Sequence, residues 1–174
     1  MRRRPTLILG LLSAAATVAA VVFATLYVAY PTERVVLEQP CGDRIFGHIV
    51  SIRQTEGAYE MRFDPAWFTS GVTANTAAAE DGTVEPGEPV PNDNYRIDEG
   101  HRLLTYLVAP NAAVTVLTRT GNPAGFGATR ITVAQLAQLV AGQKPVDLFE
   151  PLDTGVWIRV HVDTACAIDQ QYQP

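Results

Sequence analysis

From Thr6 to Tyr30 the chain carries no charged side chain, a run of 25 residues separated only by Pro5 from Arg2, Arg3 and Arg4. A helix rises 1.5 Å per residue, so roughly 20 apolar residues already cross the hydrocarbon core of a bilayer. Lipid offers the backbone no hydrogen-bond partners, and a helix rich in Leu, Ala and Val closes those bonds internally. The arginines hold the N-terminus on the cytoplasmic side, and Tyr27 and Tyr30 fall where interfacial aromatics are expected. The reading is a cytoplasmic tip (residues 1–5), a single transmembrane signal-anchor helix (6–30), a tether (31–43) and an extracytoplasmic globular domain (44–174) at the cell membrane. Secretion after signal cleavage is the alternative. Its apolar region normally runs only about 7 to 15 residues, and the small residues Ala14 and Ala16 fall early in this run.

About 144 residues follow Tyr30, enough for one domain with a real core and too few for two of ordinary size. Without the three N-terminal arginines the chain keeps ten basic residues against eighteen acidic ones. That balance repels phosphate backbones and argues against nucleic acid as a partner. There are two cysteines, Cys41 near the start of the exported part and Cys166 near its end. In an oxidising compartment such a pair is most simply one disulfide; neither has a second cysteine nearby that would suggest redox chemistry or metal ligation.

Apolar alternation predicts a mainly β (α+β) domain. Phe46, His48, Val50 and Ile52 alternate with Ile45, Gly47, Ile49 and Ser51, and after a turn at Glu56-Gly57 the residues Tyr59, Met61 and Phe63 alternate with Glu60, Arg62 and Asp64. The two runs read as a hairpin that Asp64 and Pro65 stop. Trp67 to Gly82 then has the character of a helix, with Thr69 or Ser70 to cap it and Gly82 to end it. The proline-rich stretch to Asn94 reads as a surface loop. Tyr95–Asp98, Leu103–Val108 and Val114–Arg119 are separate β-rich pieces, and TGNPAGFGAT is a mobile, glycine-rich loop. Thr132 caps a second helix, with Val133, Leu136, Ala137 and Val140 on one face and Gly142 at its end. The final strand places Val156, Ile158, Val160 and Val162 opposite Trp157, Arg159, His161 and Asp163. No regular crossover helices follow the strands. The predicted architecture is therefore an antiparallel curved sheet or small OB-like barrel with two short helices.

The run FDPAWFTSGVTANTAAAEDG, the later PNDN, the closing GVWIRVHVD and the terminal QQYQP occur in that order. Together they resemble an uncharacterised family of bacterial exported proteins found especially in high-GC Gram-positive bacteria. In that family an aromatic residue usually follows the Asn-Asp pair, whereas here Asn94 intervenes before Tyr95. The resemblance implies export and carries over no catalytic residue.

Chemistry-bearing motifs are sparse. There is no G-x-S-x-G, H-E-x-x-H or G-x-x-x-x-G-K-[ST] pattern, and Gly125-Phe126-Gly127 lacks the third glycine of a dinucleotide loop. His48, His101 and His161 are far apart in sequence, and for His48 and His161, which sit within strand patterns, a hydrogen-bonded structural histidine is the default. Asp64, Asp81 and Asp93, with Glu80 and Asp98, supply the oxygen ligands calcium prefers, but their spacing matches no calcium loop. The plain alternative gives them caps and turns. Trp67 and Trp157 lie beside apolar neighbours and are expected in the core. The expectation is a non-catalytic, membrane-anchored binding or structural module of the cell envelope, without a cofactor unless calcium stabilises it, and with an envelope protein or ligand as partner. The competing reading is an envelope hydrolase that pairs dispersed carboxylates such as Asp64 or Asp93.

Overall fold

A computed structural model describes residues 41–98, 100 and 102–173. The expected transmembrane helix and cytoplasmic tip and most of the expected tether lie outside the described residues, as does His101. No helix among the described residues is long and apolar enough to cross a membrane.

Seven strands follow in order: β1 (Asp43–Thr55), β2 (Ala58–Ser70), β3 (Asn94–Ile97), β4 (Leu104–Arg119), β5 (Phe126–Ile131), β6 (Val156–His161) and β7 (Thr164–Gln170). Helix α1 (Gly71–Glu80) lies between β2 and β3, and α2 (Val133–Val140) between β5 and β6. β1 pairs with β2 on one side and β6 on the other, β6 with β7, β7 with β4, and β4 back with β2. The result is a closed five-stranded barrel, antiparallel except where β7 runs parallel to β4. With a helix between its third and fourth strands, this connectivity fits an OB-like barrel. β3 and β5 are side strands, added to the far ends of β2 and β4.

The barrel interior is filled by Met61 and Phe63 from β2, Val108, Val114 and Val116 from β4, Val156 and Ile158 from β6 and Ile168 from β7, all fully buried. α2 adds Val133 and Leu136 to the same cluster. Its ends are fixed locally. The Thr132 hydroxyl accepts from the Gln135 N–H while the Gln135 side chain accepts from the Thr132 N–H, a reciprocal capping box. Gly142, at φ 80°, donates to Leu139 O and Gln143 N–H to Gln138 O, which closes the C-terminus. Cys41 and Cys166 form a disulfide, Cα–Cα 6.0 Å, spanning 125 residues of chain.

Several details differ from the sequence expectation. Strict alternation in β1 breaks at a bulge between Ile49 and Ser51. Ile45, Ile49 and Ile52 all pack on the interior, while Val50 is half exposed. Asp64 and Pro65 do not stop β2, which continues to Ser70, so Trp67–Ser70 are strand and not helix. Proline is accommodated because β2 has left β4 after Phe63 and joins β3 only at Trp67, leaving residue 65 with a ladder partner on the β1 side alone. β4 likewise runs unbroken through Pro110 and Asn111, which fall between its pairing with β2, ending at Val108, and with β5, starting at Val114. The supposed mobile loop is a tight turn at residues 120–125 followed by strand β5, held by Thr120 N–H to Gly125 O and by Asn122 Nδ2 to Phe126 O. The last strand is in fact a hairpin. Val162 turns the chain at φ 59° and is 86% exposed, and β7 follows.

Candidate functional site

The outward side chains of β1, β2 and β6 build a second apolar cluster on the barrel wall. In register, Phe46 lies opposite both Ala66 and Trp157. Its ring meets that of Phe68 at 5.0 Å and that of Trp157 at 5.2 Å, and Phe68 meets Trp157 edge-on at 6.0 Å. These are tilted and edge-to-face pairings, the geometries the aromatic quadrupole favours. Phe46 is only 2% exposed although it points away from the interior. Gly155, at φ 104°, lets the backbone pass so close that a Cβ there would collide with the Phe46 ring.

Around this cluster lies a slot of about 410 Å³ between Arg44, Phe46, Trp67, Phe68 and Trp157. That size lies within the roughly 300–1,000 Å³ range of small-ligand clefts. The Arg44 guanidinium sits over the Trp157 ring at 4.0 Å from its centroid, a cation–π stack. The indole N–H of Trp157 donates to Gln171 Oε1 at 2.7 Å, and Gln171 Nε2 in turn donates to Tyr172 O at 2.6 Å. Trp157 is thus locked in orientation, while Trp67 at the rim is 57% exposed. Both tryptophans therefore depart from the expected core placement. Trp67 follows the inward parity of Met61 and Phe63, but past Pro65 the strand has peeled off the barrel, leaving no interior for it to enter. The signal in the sequence was Pro65 itself, a residue that tolerates only a one-sided ladder.

Two other concave regions exist. A larger one, about 720 Å³, lies between the end of α2 and the 143–152 strap, with Arg119 donating to Phe149 O at 3.5 Å and facing Asp147 at 3.9 Å. Beside it Phe126 stacks on Phe149 at 4.6 Å and on Tyr172 at 4.8 Å. The third flanks α1.

The acidic residues are distributed. Asp64 sits on β2 opposite His48. Asp81 caps α1 at its C-terminus and accepts from the Tyr95 hydroxyl at 3.1 Å. Asp93 lies in the Pro91–Asp93 turn at φ 55°, its N–H donating to Val90 O. Glu80 is exposed, and Asp98 accepts from Arg96 Nε at 2.9 Å. Among the described residues no three His, Cys, Asp or Glu side chains converge as metal ligands. Neither Asp64 nor Asp93 lines any of the three clefts. His48 Nε2 is buried without a hydrogen-bond partner and 3.7 Å from Asp98 Oδ1, too far for a hydrogen bond. His161 is exposed at the end of β6. Tyr106, on the barrel wall beside Phe63, has its phenol pushed above the ordinary range by burial and stays neutral at physiological pH.

In an OB barrel the usual ligand face lies over the second and third strands. Here those are β2 and β4, whose outward residues include Glu60, Arg62, Thr105 and Leu107. Arg62 is spent on Thr105 Oγ1 at 3.0 Å, and none of these four side chains is a ring on which a base could stack. The aromatic slot on β1, β2 and β6 is the better-built surface. It draws Trp67 and Phe68 from FDPAWF, Trp157 from GVWIRV, and its orienting Gln171 from QQYQP, segments far apart in the chain. No family model, curated protein or solved structure matches this chain.

Proposed function

We propose that this protein is a non-catalytic, membrane-anchored module of the cell envelope whose extracytoplasmic barrel binds a partner through the slot between Arg44, Trp67 and Trp157. The observation that carries the reading is an exposed tryptophan beside a cleft already walled by a second, orientationally fixed tryptophan and a stacked arginine. Trp and Arg are among the side chains that dominate binding hot spots, Trp through a large rigid contact area and Arg through its planar, multidentate donor fork. The disulfide supports an oxidising compartment, and the uncharged run after Arg2–Arg4 supports the anchor.

The test is photo-crosslinking in cells that produce the full chain. Trp67→p-benzoylphenylalanine is expected to give discrete adducts, and the same replacement at Val72, 83% exposed on α1, is expected to give none. Equal labelling at both positions, or none at Trp67, would overturn the reading.

A further inference from the structure

Taking that slot as the binding site, we infer that its occupant is an extended segment of a partner protein, which inserts a proline or aromatic ring against the aromatic lining and offers a neighbouring Asp or Glu carboxylate to Arg44.

The ring half of the motif follows from the lining. Apart from Arg44, every residue lining the slot is apolar, with Phe46, Trp67, Phe68 and Trp157 supplying the aromatic surface, and the N–H of Trp157 is already committed to Gln171. A saccharide would bring many hydroxyls into a cleft with almost no side-chain partners for them, and unmet polar groups are costly to desolvate. A flat apolar ring has no such cost. Proline in an extended segment is already held in polyproline geometry, and aromatic-lined grooves recognise such segments with little ordering entropy.

The acid half follows from Arg44. The guanidinium lies over the Trp157 ring and is engaged there through its charge, and its N–H donors are the groups that grip a carboxylate in bidentate fashion. The neighbouring Arg159, in register with Arg44 across β1 and β6, is neutralised by Asp169 at 2.9 Å, whereas no carboxylate among the described residues pairs with Arg44. Arg44 is one of only ten basic residues against eighteen acidic ones once Arg2–Arg4 are set aside, so its surroundings in the chain are strongly acidic in balance. That overall negative balance disfavours a polyanion, so one or two carboxylates next to a ring suit the slot better than a phosphate polymer.

The chain has two tryptophans, and both belong to the slot, so intrinsic emission reports its occupancy directly. A displayed library of random peptides would be selected on the full chain in lipid nanodiscs, and the enriched peptides synthesised and titrated by tryptophan emission. The expected result is enrichment of Asp or Glu within two residues of Pro, Phe, Tyr or Trp. Affinity should fall about tenfold or more for Arg44→Glu and for Trp67→Ala. Both side chains are exposed, so the variants should keep the circular dichroism and disulfide of the parent.

The proposal is overturned if no peptide enriches, if the enriched peptides lack acids, or if Arg44→Glu binds them as well as the parent does. It is also overturned if only a glycerol-phosphate polymer or an acidic oligosaccharide shifts the emission, or if the emission changes only with self-association of the chain. Adducts at position 67 in cells combined with any of these results would retain the binding site and remove the peptide. Loss of both would remove the site as well.

Discussion

Gln170 is 9% exposed, and it is the buried polar side chain of the described residues. Its Oε1 accepts from the Leu117 N–H at 2.9 Å, and its Nε2 donates to Glu150 O at 3.0 Å and to Pro151 O at 3.2 Å. One amide thus ties the strap before β6 to the end of β4, where a partly buried backbone N–H would otherwise lack this partner. Gln170→Ala should cost about 2–4 kcal/mol, the sum of lost bonds and an orphaned donor. A urea titration would show it, and a loss below about 0.5 kcal/mol would mean that water replaces the amide. Val162 presents the opposite case. A β-branched residue in the left-handed region costs about 1–2 kcal/mol, and here nothing is buried in return. Val162→Gly removes that strain but adds unfolded-state freedom, so the net gain should be about 0.5–1 kcal/mol, seen in calorimetry as a midpoint about 2–4 °C higher. An unchanged or lower midpoint would show the turn to be unstrained.

The two helices show what a sequence discloses about an element and where it falls short. Thr132 and Gly142 were legible because capping depends on local residues only, and both caps form as their chemistry dictates. α1 also ends as read, with Gly82 N–H on Ala79 O and Thr83 N–H on Ala78 O, yet its start was placed too early. Trp67 to Ser70 pair with β3, a long-range contact that local pattern cannot carry, and Thr69 spends its hydroxyl on Tyr95 O and caps nothing. For the same reason local pattern divides β4 into two pieces, and the TACAIDQ run of β7, with no clean alternation, carries no strand signal. The candidate site is hidden more deeply, since its walls come from three strands, and although β1 and β2 form a local hairpin, only barrel closure sets β6 beside β1. The caps also separate two predictions. Ser70 occupies the N-cap of α1 without a side-chain bond, whereas Thr132 makes a full capping box. Thr132→Ala should therefore cost about 1 kcal/mol, and Ser70→Ala no more than a few tenths. Urea midpoints of the two variants would decide it, and equal losses would refute the distinction.

At the scale of the whole molecule the disulfide and the barrel closure perform related tasks. Cys41 precedes β1 and Cys166 lies in β7, so the bridge crosses β6, which pairs with both strands, and each Sγ lies 3.4 Å from Arg159 O on that strand. Closure already sets the register of β1, β6 and β7 through their ladders, so the bond adds little to native geometry. Its effect falls on the unfolded chain, where it removes the freedom of a 125-residue loop. In the chain-entropy model that is worth about 4–5 kcal/mol, a large share of the roughly 5–15 kcal/mol that holds a domain of this kind together. Cys41→Ser combined with Cys166→Ser should therefore keep the β-rich circular dichroism of the parent at 25 °C while unfolding at much lower urea. Its m-value should rise, because the unfolded state is no longer held compact by the cross-link. A double variant with an unchanged midpoint would show that the denatured chain is already restricted near the two ends. One that loses its native spectrum in buffer would show that the ladders alone do not hold the barrel shut.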